Sequence, residues 1–221
     1  VSNKYGYNNM AIGMYAGNSG NALYCPTGYL ELLRLQDRFV YLPEMPYRKV
    51  DLDQAMRNVL SQEKFGGSSV ADKERIFNVA RRCAEEYQMG NDVIVVLSAM
   101  GDTTDELLEK AAEINPYPSK RELDMLLTTG EQASVALMAM ALQFLNVPAI
   151  SLNAFQVKMH STARNGNARF KRVDTDRITH ELENRKIVIV TGFQGVNHYG
   201  DYTTLGRGGS DTTAVALAAA M

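Results

Sequence analysis

Val93-Ile94-Val95-Val96-Leu97-Ser98-Ala99-Met100-Gly101-Asp102-Thr103-Thr104 decides the fold. An unbroken apolar run leads into a polar loop with one glycine, and hydroxyls then open a helical pattern. Such a run fits a strand buried on both faces, as in a parallel sheet. Ala149–Leu152 (AISL) and Ile187–Thr191 (IVIVT) are runs of the same kind. Helical stretches lie around them. Asp72–Tyr87 places Ile76, Val79, Ala80 and Cys83 on one face, and Thr104–Ile114 carries Leu107, Leu108 and Ala111. Glu131–Leu145 is apolar nearly all round and reads as a central packed helix; Asp176–Asn184 is short and polar. Strands alternating with helices predict a layered α/β domain with helices on both faces.

The bulk properties narrow the function. The chain has 221 residues, enough for one large domain or two small ones. Hydrophobic residues make up 45% and charged residues 22%, which excludes a disordered chain. Lys plus Arg is 23 against 25 for Asp plus Glu, a formal net charge of −2. That balance gives no support to wrapping nucleic acid or an anionic membrane, so neither partner is expected. Cys25 and Cys83 make no disulfide framework and no CxxC pair, and a reducing cytoplasm fits. No basic start followed by an apolar run marks a signal peptide, and the longest apolar stretch, Ala133–Leu142, is too short to span a bilayer. His160, His180 and His198 are scattered without i, i+4 partners, so no metal site is expected and each reads as a surface or capping residue. No GxxxxGK[ST] sequence occurs.

The first third differs in character. Seven of the 11 tyrosines precede residue 50, so the chain divides into a Tyr-rich segment, 1–63, and an α/β segment, 64–221. Gly28–Phe39 is a candidate helix, Pro43 and Pro46 break the chain, and Asp51–Gln62 reads as a better helix with Leu52, Ala55, Met56, Val59 and Leu60 at helical spacing.

Four Gly- or Thr-rich stretches are candidates for chemistry. Lys64-Phe65-Gly66-Gly67-Ser68-Ser69-Val70 offers close backbone approach, hydroxyls ahead of a helix and a mobile cation. It reads either as a phosphate cradle or as a polar turn with a helix cap. Ser98 and Thr104 flank the loop after VIVVL, at the strand end where open α/β sheets bind ligands, although both residue types also cap helices. Thr128-Thr129-Gly130-Glu131 reads as a loop in which Glu131 opens the most apolar helix. A carboxylate there complements the helix dipole or recognises a ligand ammonium group. Thr203-Thr204-Leu205-Gly206-Arg207-Gly208-Gly209-Ser210-Asp211-Thr212-Thr213 leads into a helix over Ala214–Met221. A turn alone rarely needs three glycines around an arginine; Arg207 suits a carboxylate or phosphate, and Asp211 suits a lysine or a metal ion.

In this order, with Gly192–Gly195 (GFQG) between the last two, these motifs resemble those of bacterial aspartate kinases of the amino-acid kinase fold. The resemblance runs from about Lys64 to Met221. It implies a three-layer αβα sandwich around a mostly parallel sheet. The implied activity is ATP-dependent phosphorylation of the side-chain carboxylate of L-aspartate, at the head of lysine, threonine and methionine synthesis. It implies that Lys64 contacts the transferring phosphoryl group and that Gly66, Gly67 and Ser68 cradle phosphates. Ser98, Thr104 and Glu131 are implied to bind aspartate, with Glu131 facing its amine. Phe193, Arg207 and Ser210 are implied further substrate contacts, with Arg207 on the α-carboxylate, and Asp211 is the implied catalytic aspartate that organises the lysines. Mg²⁺ would arrive on ATP. The acceptor carboxylate, with a reference pKa of about 3.9, is already ionised at neutral pH and needs no general base. Positioning and charge stabilisation then carry the catalysis.

Two departures from the family pattern shape further expectations. Asn58–Glu63 continues an amphipathic helix where the family has a hydrophobic strand, so that strand reads as missing and residues 1–63 as a foreign segment. The chain also stops inside the helix after GRGGSD. Family members continue with the part of the sheet that holds adenine and ribose, then with regulatory domains. Poor ATP binding, little turnover and an incomplete sheet are therefore expected, as is self-association through uncovered flanks of Val93–Leu97 and Ala214–Met221. Two other readings stay open: another amino-acid kinase acting on glutamate, acetylglutamate or a nucleotide, and a non-catalytic fusion that binds aspartate.

Overall fold

The computed structural model describes residues 13–14, 62–206 and 208–221, with side chains from Phe65 onward. Expected helices over Gly28–Phe39 and most of Asp51–Gln62 lie outside the described residues.

A five-stranded sheet forms the centre. Its strands are β1 (Gly13–Met14), β2 (Gln62–Phe65), β3 (Ile94–Leu97), β4 (Ala149–Leu152) and β7 (Ile187–Thr191), in the order β1-β2-β3-β7-β4, all parallel. The apolar runs become its inner strands because period-two alternation sends successive side chains to opposite faces. Val95, Leu97, Ile187 and Ile189 point to one face, where α1 (Lys73–Gln88) and α3 (Lys120–Phe144) supply Ile76, Val79, Val135, Met138 and Leu142. Ile94, Val96, Val188 and Val190 point to the other, against α4 (Asp176–Glu183) and α5 (Gly209–Ala220). Each fully buried aliphatic side chain contributes roughly 1.5–3 kcal/mol relative to exposure, so β3 and β7 anchor both layers of a three-layer αβα sandwich.

A second sheet was not foreseen. It has the order β6-β5-β8-β9, built from β5 (Met159–Ser161), β6 (Phe170–Val173), β8 (Gln194–Val196) and β9 (Tyr202–Thr204). It flanks the N-terminal part of α3 and carries the chain from β7 to α5. Of the histidines, His160 sits half-buried in β5, while His180 and His198 are exposed.

Four expectations are corrected. Gln62–Phe65 is a strand of the parallel sheet, registered Gln62↔Ile94 through Phe65↔Leu97, and no continuation of a helix. Polar residues form a strand here because the ladder to β3 satisfies their backbone and Phe65 is buried. Thr128-Thr129-Gly130-Glu131 is no loop; it lies inside α3, which starts at Lys120 with the Ser119 hydroxyl accepting from Glu122 N at 3.3 Å. Thr203 and Thr204 belong to β9, and α5 begins at Gly209 rather than Ala214. The flanks of Val93–Leu97 are covered, since every residue of that run is buried between β2 and β7.

Candidate active site

The cleft lies at the carboxyl end of β2, β3 and β7, where parallel sheets leave backbone groups open to ligands. Its volume is about 320 Å³. Three helical N-termini meet there. A single 3-10 turn (Gly67–Val70) starts after Gly66, α2 (Thr103–Ile114) after Asp102, and α5 after Gly208, and none has a side-chain cap. Among the other described helices, α1 and α3 carry a side-chain cap at that end, whereas α4 has none on Thr175 and only the preceding aspartate takes an N–H. Asp72 accepts from Arg75 N in α1, Ser119 accepts from Glu122 N in α3, and Asp174 accepts from Asp176 N at the start of α4. Uncapped N–H groups aimed at one cleft favour anions.

Close packing holds these termini together. Gly101 N donates to Gly67 O at 3.0 Å, and a Cβ on Gly67 would lie 2.6 Å from Ala99 O. Gly192 N donates to Leu97 O at 2.8 Å, and a Cβ there would lie 2.5 Å from Ser210 Oγ. Phe193 turns the chain from β7 into β8 with φ +66°, a backbone region costly for a side chain. Its N–H donates to Thr213 Oγ1 at 3.1 Å and its carbonyl accepts from Leu205 N at 2.9 Å, which fixes the ring against α5.

Glu131 is the unusual member. It is 3% exposed, and Ala99 N donates to its Oε1 at 3.2 Å. Its Oε2 has no hydrogen-bond partner although it is buried and Glu131 lines the cleft. Burial pushes its carboxyl up to about 7, against the opposing pull of the N–H groups of Glu131 and Ala99. It sits in mid-helix, so dipole complementarity does not explain it. A buried carboxylate oxygen without a donor is suited to a cationic ligand group. Gly130 allows this placement, since a Cβ on it would stand 2.9 Å from Ala99 Cβ. Gln194, fully buried, donates to Thr128 O at 2.7 Å and accepts from Thr191 Oγ1 at 2.9 Å, stitching the same turn of α3 to β7 and β8.

Of the expected site positions, Gly66, Gly67, Ser98 and Thr104 line the cleft with Glu131, and Phe193, Ser210 and Asp211 close it from the other side. Ser68 does not; it is exposed and its carbonyl accepts from Arg75 Nη1 at 2.6 Å. Lys64 lies in β2 opposite Val96, with its side chain outside the description, and Arg207 lies outside the described residues. The reading of the sequence gave no role to Ala99, Gly101, Gly206, Gly208 and Gly209, which also line the cleft. They stand between or beside the expected positions, so loop continuity was the available signal. Asp124 was missed outright, and Gln194 stood only as part of GFQG, with no role. Among the described residues, no group of three or more His, Cys, Asp or Glu side chains is arranged to hold a metal ion.

α3 has the length and composition of a membrane span, yet its inner face is buried in the molecule and includes Asp124 and Glu131, so here it is the core helix of the sandwich.

Comparison with known proteins agrees with this geometry. The amino acid kinase family matches residues 63–221. The aspartokinase of Geobacillus stearothermophilus is 58% identical over 159 residues, covering 72% of this chain and 39% of that protein. The aspartokinase of Corynebacterium glutamicum is 58% identical over 160 residues, covering 72% and 38%. The chain thus spans about two fifths of the length of the curated relatives it matches. Among solved structures, aspartate kinase from Synechocystis superposes with a TM-score of 0.61 at 49% identity, covering 72% of this chain and 26% of that one. Aspartokinase III of E. coli, in complex with aspartate and ADP, superposes with a TM-score of 0.59 at 28% identity, covering 72% and 46%. The sandwich, the cleft at its strand ends and these matches lead to one conclusion: the chain belongs to the amino acid kinase family.

Proposed function

We propose that this chain carries the acceptor site and part of the phosphate site of an aspartate kinase. The observation that carries the reading is the unpartnered, buried Oε2 of Glu131 in a cleft walled by three uncapped helical N-termini. L-aspartate has one ammonium and two carboxylates. Glu131 takes the ammonium. The N-terminus of α5, with Ser210 and Arg207, takes the α-carboxylate. Ser98 and Thr104 orient the rest of the acceptor, and Phe193 forms its apolar wall. The segment Lys64–Gly67 and the α2 terminus face the phosphates of ATP, with Ser68 as a further contact from the resemblance.

The step needs little covalent assistance. An oxygen of the acceptor's side-chain carboxylate attacks the γ-phosphorus of ATP, the bond from that phosphorus to the bridging oxygen breaks, and ADP leaves with the electron pair. Mg²⁺ accompanying ATP would neutralise phosphate charge. The protein's part is to hold two anions in line, which backbone dipoles and the cations Lys64 and Arg207 favour, with Asp211 orienting the lysine. A cytoplasmic place in the synthesis of aspartate-derived amino acids fits this reading.

Calorimetric titration of the 221-residue chain tests it. L-aspartate is expected to bind, while succinate, which lacks the ammonium, and N-acetyl-aspartate, which masks it, bind at least tenfold more weakly. Equal binding of all three removes Glu131 from an ammonium role and favours a different acceptor.

A further inference from the structure

The buried face of α3 carries Asp124, Thr128 and Glu131 at successive turns. Glu131 lines the cleft described above and the Thr128 carbonyl holds Gln194; Asp124 is used by nothing in the chemistry. It is 1% exposed, and all its partners are donors. Its Oδ1 accepts from Thr204 Oγ1 at 2.7 Å and from Gly166 N at 3.1 Å, and its Oδ2 accepts from Asn165 Nδ2 at 2.8 Å and Gly166 N at 3.0 Å. These donors come from β9 and from the 164–168 segment, both far from Asp124 in sequence. Such a buried carboxylate is costly unless each lone pair is matched, so the cluster holds only in one arrangement.

That arrangement leads to the cleft. Ala168 N donates to Thr204 O at 2.8 Å, so the 164–168 segment and β9 are clasped twice. Two residues beyond Thr204, Gly206 (φ +80°) packs on the same segment: a Cβ on it would lie 3.4 Å from Asn167 Oδ1. Gly209 N donates to Gly206 O at 3.0 Å, which starts α5, and Gly206, Gly208 and Gly209 line the cleft. Asp124 and Glu131 stand on one helix, seven residues apart, so the clasp sets the distance between the ammonium end of the cleft and its glycine loop.

We propose that Asp124 is a positioning residue: by gathering Thr204, Gly166 and Asn165 it fixes Leu205, Gly206, Gly208 and Gly209 relative to Glu131. The effect on the acceptor rests on the aspartate reading; the effect on the loop does not. Asp124→Asn keeps shape and places an amide N–H against donors. Amide hydrogen exchange is measured on the ligand-free 221-residue chain, with the L-aspartate affinity of each variant taken by calorimetry. In folded D124N, exchange at Leu205 and Gly209 is expected to rise at least tenfold. Exchange at Val95 and Val190 stays unchanged, which a general loss of stability would not allow. L-aspartate is expected to bind about tenfold more weakly. Thr204→Val removes one donor alone, is expected to show the same pattern at about threefold, and decides the matter if D124N does not fold. Unchanged exchange at Leu205 and Gly209 in a folded variant overturns the proposal. Faster exchange with unchanged aspartate affinity overturns its acceptor half. If the unsubstituted chain binds no aspartate while exchange rises as expected, the aspartate reading fails and the loop assignment stands.

Discussion

The two halves of α3 (Lys120–Phe144) are held by different forces. Beyond Glu131 the helix is fixed by burial: Val135, Met138, Ala139 and Leu142 pack on the sheet, while Leu137, Met140 and Phe144 stay exposed on the outer side. Before it, the buried face is mostly polar, with Leu127 beside Asp124 and Thr128, and at successive turns Asp124, Thr128 and Glu131 accept hydrogen bonds from three separate parts of the chain. Apolar burial is tolerant of small shifts, whereas hydrogen bonds are directional. The apolar half therefore sets how firmly the helix is seated, and the polar half sets where the cleft groups stand. Glu131 sits at the junction, dry enough to be desolvated and close enough to the rim to meet a ligand.

Substitutions separate the two halves. Leu142→Ala removes a side chain with no exposure and is expected to destabilise the fold by about 3 kcal/mol in denaturant unfolding, with aspartate affinity unchanged while the protein is folded. Raised affinity dependence on Leu142 would merge the halves. Glu131 gives the next effect. Its folded carboxyl titrates near 7, above its unfolded value of 4.5, so the folded state holds the proton more tightly. The stability it contributes is full below about pH 4.5 and is lost as pH rises to about 7, a fall of about 3 kcal/mol. Unfolding curves between pH 4.5 and 8 are expected to show that fall and to lack it in Glu131→Gln. Gly130→Ala pits a helix preference of about 1 kcal/mol against a contact at 2.9 Å with Ala99 Cβ, and a net loss of about 1 kcal/mol with weakened aspartate binding is expected. Ser119→Ala removes the cap of α3 and is expected to cost about 1 kcal/mol with no change in binding. Met140→Ala, at a position 61% exposed, is expected to stay within about 0.5 kcal/mol.

The same contrast explains what was legible in the sequence. VIVVL and IVIVT read as buried strands because all their information is apolar and local, and the apolar half of α3 read as a central helix for the same reason. Thr128-Thr129-Gly130 read as a loop because threonine and glycine disfavour helices, yet Gly130 is required by Ala99 from another element. Gln62 and Glu63 looked helical, and Lys64 looked like the start of a loop, because their strand identity comes from the ladder to β3. The second sheet uses polar strands of three or four residues, too short for periodicity to declare. Most cleft positions were visible through their glycines and hydroxyls, whose placement at strand ends follows from chain order. Asp124 was not, because a lone aspartate inside a helix gives no sign that its partners arrive from residues 165, 166 and 204.

The central claim is that Glu131 meets a ligand ammonium from a dry position. Titration of L-aspartate into the chain between pH 5 and 8.5, in buffers of different ionisation enthalpy, tests it. Affinity is expected to rise with pH, up to tenfold per unit, and to level above about pH 7, with a proton released on binding below that point and all pH dependence lost in Glu131→Gln. Affinity independent of pH with no proton release in the unsubstituted chain would contradict it.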